Sequence, residues 1–120
     1  VGLREMHLIV ECVFDRADKS MREKALACMR GMIDDAAAKG YGEYRTHIAL
    51  MDQIASTYDW NDNALMKFNQ RLKDALDPNG ILAPGKSGVW PARYRGRGWE
   101  MTKLDECSEG NGLQQYGDKL

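Results

Sequence analysis

A chain of 120 residues has room for one domain with a modest core. Its 17 basic and 18 acidic side chains nearly cancel, to a formal −1, so the composition lacks the basic excess of a nucleic-acid footprint. The longest apolar run, Leu8-Ile9-Val10, is far too short to span a bilayer.

No cationic stretch followed by an apolar one opens the chain, so no signal peptide is visible, and a first residue of Val1 fits a processed or truncated start. Residues 4–14 read as a strand. Met6, Leu8, Val10, Cys12 and Phe14 alternate along one face, and Ile9 and Val13 make the other partly apolar, so cover is expected on both sides. Asp15-Arg16-Ala17-Asp18 closes it. Ser20-Met21-Arg22-Glu23 has the form of a capping box, in which the serine oxygen takes an orphan N–H and the glutamate reaches back. A helix follows to about Lys39, with Met21, Ala25, Met29, Met32, Ile33 and Ala36 as its inner stripe and Gly40 beyond its end.

Residues 41–45 read as a second strand or an extended turn. Thr46 is expected to cap a helix from His47 to about Thr57, with Ile48, Leu50, Met51 and Ile54 on its apolar side. Trp60 sits in a turn. Asn61 or Asp62 caps a last helix to about Leu76, with Leu65, Phe68, Leu72 and Leu76 facing inward. Asp77-Pro78-Asn79-Gly80 ends it, because Pro78 restricts its predecessor and Gly80 tolerates positive φ. From Ala92 the texture changes. Arg93, Arg95 and Arg97 alternate with Tyr94 and glycine and read as solvated, and a polar stretch runs to Leu120 without amphipathic period. A domain over 1–91 followed by an extended or disordered tail over 92–120 is the expected organisation.

Few residues offer chemistry. Cys12, Cys28 and Cys107 are an odd number without metal-ligand spacing. The first two read as small core hydrophobes and Cys107 as a thiol in a polar tail, which fits a reducing, cytoplasmic setting. His7 and His47 are too few and too far apart for a metal site. Tyr44 and Arg45 stand just before a helix start, where a phenol and a guanidinium can both donate to one anionic oxygen. The plainer alternative packs Tyr44 in the core and pairs Arg45 with Glu43 or Asp52. The run Ile81-Leu82-Ala83-Pro84-Gly85-Lys86-Ser87-Gly88 delivers one lysine between glycines that let a backbone approach a flat ligand. A surface lysine in a loop is the alternative. The run is not a phosphate loop, since the glycine spacing is wrong and no helix-forming run follows.

Several stretches carry a family resemblance. They are Gly40-Tyr41-Gly42-Glu43-Tyr44-Arg45-Thr46-His47, Met51-Asp52-Gln53, Tyr58-Asp59-Trp60-Asn61, Phe68-Asn69 and the run from Asp77 to Pro91. Together they resemble the C-terminal segment of the vanillyl-alcohol oxidase and 4-cresol dehydrogenase family of FAD-linked phenol oxidoreductases. Residues 5–39 fit that family's preceding strand and helix more loosely, and the part after Pro91 carries no such likeness. The resemblance implies that Tyr44 and Arg45 hold a phenolic substrate as its phenolate. A free phenol has a pKa of about 10, and donating or cationic neighbours favour the anion. It implies that a para-benzylic hydride leaves for FAD, and that Arg45, with Lys86, lies near the flavin as a fixed charge. It also implies that the FAD-binding domain is missing, so this chain is not expected to bind FAD alone.

The expected fold is α+β, a small and mainly antiparallel sheet covered by about three helices. A sheet of so few strands rarely stands alone, so a homodimer, a larger assembly or a complex with the flavin-binding part is expected. Two functions compete. One is the C-terminal portion of a flavin-dependent oxidoreductase acting on para-substituted phenols, inactive alone. The other is a non-catalytic, stand-alone α+β oligomerisation domain.

Overall fold

Asp18 starts the first helix. Its side-chain Oδ1 accepts the Met21 amide at 3.1 Å, and its carbonyl accepts the Arg22 amide. Ser20, expected to cap, lies inside the first turn instead. An aspartate is at least as good a cap as a serine, and its charge also suits the positive end of the helix. The computed structural model describes Arg4 and residues 6–101. In it α1 spans Lys19–Ala38. A 3-10 turn, Ile48–Leu50, runs into α2, Met51–Ser56. Then come α3, Trp60–Leu76, and a second 3-10 turn, Lys86–Gly88.

α1 ends as its sequence indicates. The Gly40 amide donates to Ala37 O and the Tyr41 amide to Ala36 O, the paired bonds of a Schellman end, with Gly40 at φ +78°. Ile33 of α1 packs against Leu50 and Ile54, with Leu26 and Met29 beside them. Arg30 fastens the same contact. It donates to Gln53 Oε1 at 2.9 Å and to Ala49 O at 3.0 Å, and Gln53 Nε2 returns a bond to Arg30 O.

The α+β expectation is overturned: among the described residues there are helices and turns but no strand and no sheet. Residues 6–14 form neither helix nor strand, and Met6 and Val13 are 92% and 93% exposed. Alternation in sequence marks the faces of an extended chain; a sheet also needs a second backbone to take its N–H and C=O groups. Residues 41–45, the other strand candidate, form an irregular loop.

α3 differs from expectation at both its start and its face. Asn61, Asp62 and Asn63 do not cap it but sit in left-handed backbone at φ 51°, 56° and 58°, a region that Asn and Asp tolerate better than most. Leu65, Phe68, Leu72 and Leu76, expected inward, are all exposed. Cys28 is also exposed, where a core position was expected, and Cys12 is half-buried. Cys107 and residues 102–120 lie outside the described residues. Among the described residues no helix is long and apolar enough to cross a membrane.

The run after α3 folds back on α2. Asp77 is buried and closes the helix end. Its oxygens accept the Ile81 and Leu82 amides at 2.9 Å each and pair with Lys73 at 2.8 Å, while Lys73 also donates to Leu82 O. Trp90 Nε1 donates to Asp52 Oδ1 at 2.7 Å, and the Met101 amide donates to Asp52 Oδ2 at 2.8 Å. Residues 92–101 run in turns. There Arg95 pairs with Asp74, whose carboxyl the guanidinium holds below its ordinary range. Arg93 donates to Asn79 O. Two of the three arginines expected to be solvated therefore hold backbone or carboxylate.

Two predictions follow from these contacts. A Cβ added at Gly88 would stand 2.4 Å from Ala55 Cβ, at a φ of +72°. Gly88→Ala should cost ~2 kcal/mol, from overpacking and left-handed strain together. Gly31→Ala, on the exposed side of α1 with nothing within 4 Å, should instead stabilise by about 0.5–1 kcal/mol. Melting curves that move the same way for both variants would overturn this reading. The second prediction concerns pH. Hydrogen bonding from Lys73 above all, then from the Ile81 and Leu82 amides, lowers the Asp77 pKa from its ordinary 3.8 to about 2. A depressed carboxylate stabilises the fold above its unfolded pKa and loses that contribution as pH falls through the folded one. Asp77→Asn should therefore melt lower than the parent at pH 7. The gap should close between about pH 4 and pH 2, and a gap constant across that window is the contrary result.

Candidate functional site

The loop between α1 and the first 3-10 turn carries Tyr44 and Arg45. Gly40 turns the chain off α1, and Tyr58, just past α2, donates its hydroxyl to Glu43 O at 2.8 Å. The loop ends where His47 Nδ1, and not the expected Thr46, accepts the Ala49 amide at 3.2 Å as the cap. Thr46 Oγ1 is buried without a hydrogen-bond partner among the described residues. Because only one 3-10 turn begins here, the cationic side chains outweigh any helix dipole as a source of positive potential.

Lys86 arrives from the other direction, as the first residue of the second 3-10 turn. That turn packs on α2, and the Ser87 amide meets Met51 Sδ at 3.3 Å. Tyr44, Arg45 and Lys86 thereby line one cleft of about 390 Å³. Its apolar wall is made by Met51, Ile54, Leu65, Met66 and Val89, with Asn69 and Ser87 as polar members. The charged residues on the cleft are Arg45, Lys86 and Glu43, a net positive set.

Each predicted site residue has a definite surrounding. Tyr44 is 75% exposed and not a core residue. Its ring stacks on His7, with centroids 5.2 Å apart and planes 27° from parallel. Asp52, considered as a partner for Arg45, is committed to Trp90 and Met101. Among the described residues neither Arg45 nor Lys86 is paired with a carboxylate. The glycines around Lys86 serve a different purpose from the one expected. The space a Cβ would fill at Gly85 is taken by the Trp90 ring, 2.4 Å away, and at Gly88 by Ala55. They admit the protein's own side chains and leave no slot for a flat ligand. Among the described residues no cluster of His, Cys, Asp or Glu could hold a metal.

Sequence reasoning assigned no role to Tyr58, which lines the cleft and ties its loop. The usable signal was Gly42. Its φ is not positive, so its lack of a side chain is about room, and an added Cβ would lie 2.6 Å from the Tyr58 hydroxyl.

Comparison with known proteins accords with the resemblance read from the sequence. The family model for the C-terminal domain of FAD linked oxidases matches residues 3–87. The chain is 34% identical over 89 residues to the 4-cresol dehydrogenase (hydroxylating) flavoprotein subunit of Pseudomonas putida, covering 74% of this chain and 16% of that protein. It is 31% identical over 88 residues to the 1'-carboxy-chondrochloren decarboxylase of Chondromyces crocatus, covering 71% and 16%. The solved 4-ethylphenol oxidase from Gulosibacter chungangensis, in its isoeugenol complex, superposes with a TM-score of 0.64 at 51% identity, over 66% of this chain and 15% of that one. The chain spans about a sixth of the length of the curated relatives it matches. By the matched model and these relatives, the chain belongs to the family of C-terminal domains of FAD-linked oxidases.

Proposed function

We propose that this chain is the C-terminal portion of an FAD-dependent oxidoreductase acting on para-substituted phenols, and that its own task is to hold the phenol as a phenolate. The observation that carries the proposal is the meeting of the adjacent Tyr44 and Arg45 with Lys86, distant from them in sequence, on one cleft with an apolar wall. The apolar wall suits an aromatic ring. Donors and cations at the rim favour the ionised oxygen, lowering the pKa of a bound phenol from about 10. Tyr44 can donate its hydroxyl to that oxygen, and Arg45 can donate a charge-assisted bond. A phenolate is electron-rich at the para position, which eases departure of a hydride from the benzylic carbon.

The residues fit one end of the cofactor and not all of it. Arg45 and Lys86 suit the electron-rich edge of an isoalloxazine ring, where fixed positive charge is useful. The turn around Lys86 is closed by Trp90 and Ala55, so it offers no backbone cradle for a diphosphate. When bound, FAD supplies the two-electron acceptor that phenol oxidation needs. The remainder of the longer enzyme is assigned the task of holding its ADP half. That remainder is also the partner proposed for the apolar side chains left open on α3 and on residues 6–13.

Two measurements test the proposal. The purified chain should show no flavin absorbance and no saturable titration with FAD; stoichiometric yellow protein is the opposing result. In the full-length enzyme, Tyr44→Phe and Arg45→Ala should each slow anaerobic flavin reduction by a para-alkyl phenol. The loss of one such donor costs ~3 kcal/mol, roughly a hundredfold or more in rate. Arg45→Ala should be the worse of the two, and Lys86→Ala the mildest. If Arg45→Ala reduces its flavin at the parent rate with unchanged substrate affinity, Arg45 has no part in the chemistry.

A further inference from the structure

We infer that Tyr58 is a positioning residue for the Tyr44–Arg45 pair, an inference that rests on the phenolate site proposed above. The Tyr58 hydroxyl donates to Glu43 O at 2.8 Å. That carbonyl belongs to the peptide unit that joins Glu43 to Tyr44, so the bond sets the plane from which Tyr44 and then Arg45 depart. Among the described residues no other hydrogen bond reaches the backbone from Gly42 to Thr46. The loop is anchored at its two ends, by Tyr41 on Ala36 and by Leu50 on His47, and in its middle by Tyr58.

Gly42 makes this tie possible. Any larger residue would bring a Cβ to 2.6 Å from the Tyr58 hydroxyl and 3.1 Å from its Cζ, and the phenol would have to leave the carbonyl. The tie also links the site to the core. Tyr58 lies two residues past the end of α2, whose Ile54 packs in the core cluster and whose Ala55 carries the Lys86 turn. Both arms of the cleft are thereby referred to the same short helix. A misplacement of about an ångström at a reacting group is enough to cost a large factor in rate, which is what a mid-loop tie prevents.

The test uses the full-length flavoenzyme with Tyr58→Phe, which keeps the ring and removes the donor, and with Gly42→Ala as a second variant. Opening of the loop is read from the rate of native-state tryptic cleavage of the Arg45–Thr46 bond. Ionisation of bound para-chlorophenol, which has no benzylic hydrogen to lose, is read from its ultraviolet absorbance against pH. Tyr58→Phe should speed that cleavage by roughly five- to tenfold, the worth of one net hydrogen bond. It should also move the ionisation midpoint of the bound phenol to higher pH and slow flavin reduction more than it weakens phenol binding. Gly42→Ala should do the same, and should it misfold, Tyr58→Phe alone decides. Unchanged cleavage in Tyr58→Phe overturns the inference, whatever the site does. Faster cleavage with an unmoved midpoint also overturns it when Tyr44→Phe and Arg45→Ala do move that midpoint. If those two variants leave the midpoint in place as well, the phenolate reading of the site has failed and the positioning role falls with it.

Discussion

Asp52 accepts two hydrogen bonds that close the chain on itself. One comes from the Trp90 indole and the other from the Met101 amide. Both donors lie far along the sequence, and both are brought to the flank of the six-residue α2. The two bonds are charge-assisted, the stronger class among protein hydrogen bonds. On its other side α2 offers Ile54 to Ile33 of α1, and its Gln53 exchanges bonds with Arg30. A helix of this length has almost no stability by itself. It persists because both halves of the molecule bond to it.

The cleft inherits this arrangement. Its cationic rim comes from two loops, and each loop is fitted to α2 or its C-terminal neighbour by a missing side chain: Gly42 beneath Tyr58, Gly88 against Ala55. The described part of the molecule has a small core, with Ile33, Ala49, Leu50, Met51, Ile54 and Pro91 as its buried apolar side chains. Polar fastenings therefore do much of the positioning that a larger core would do by packing. Arg30 on Gln53 and Ala49, Asp77 on Lys73 and two amides, and Asp74 on Arg95 are the main ones.

Local features of this kind were legible in the sequence to different degrees. The end of α1 was readable because Gly40 is the residue a left-handed helix end selects, and the end of α3 because Asp77-Pro78 cannot continue a helix. The start of α1 was misplaced by two residues, since Asp18 and Ser20 are both good caps and pattern alone does not rank them. The sheet was misread for a different reason. Alternation over residues 6–14 is a property of one chain, whereas a ladder is a property of two. Tyr44, Arg45 and Lys86 were chosen through family likeness, and their meeting on one cleft was not contained in any local pattern. Tyr58 went unseen because its partner is a backbone carbonyl, a group every residue has and no sequence letter marks.

Leu65 belongs to two surfaces at once. It lines the cleft, and it is also the first member of the exposed apolar row that continues through Phe68, Leu72 and Leu76. Whatever body covers that row thereby becomes a wall of the cleft. For anyone altering this domain, solubility and the shape of the cleft are then not separable at this position. A polar replacement at Leu65 made to keep the chain in solution would also change the apolar wall of the cleft, whereas Phe68 and Leu76 do not line the cleft and can be changed without entering it.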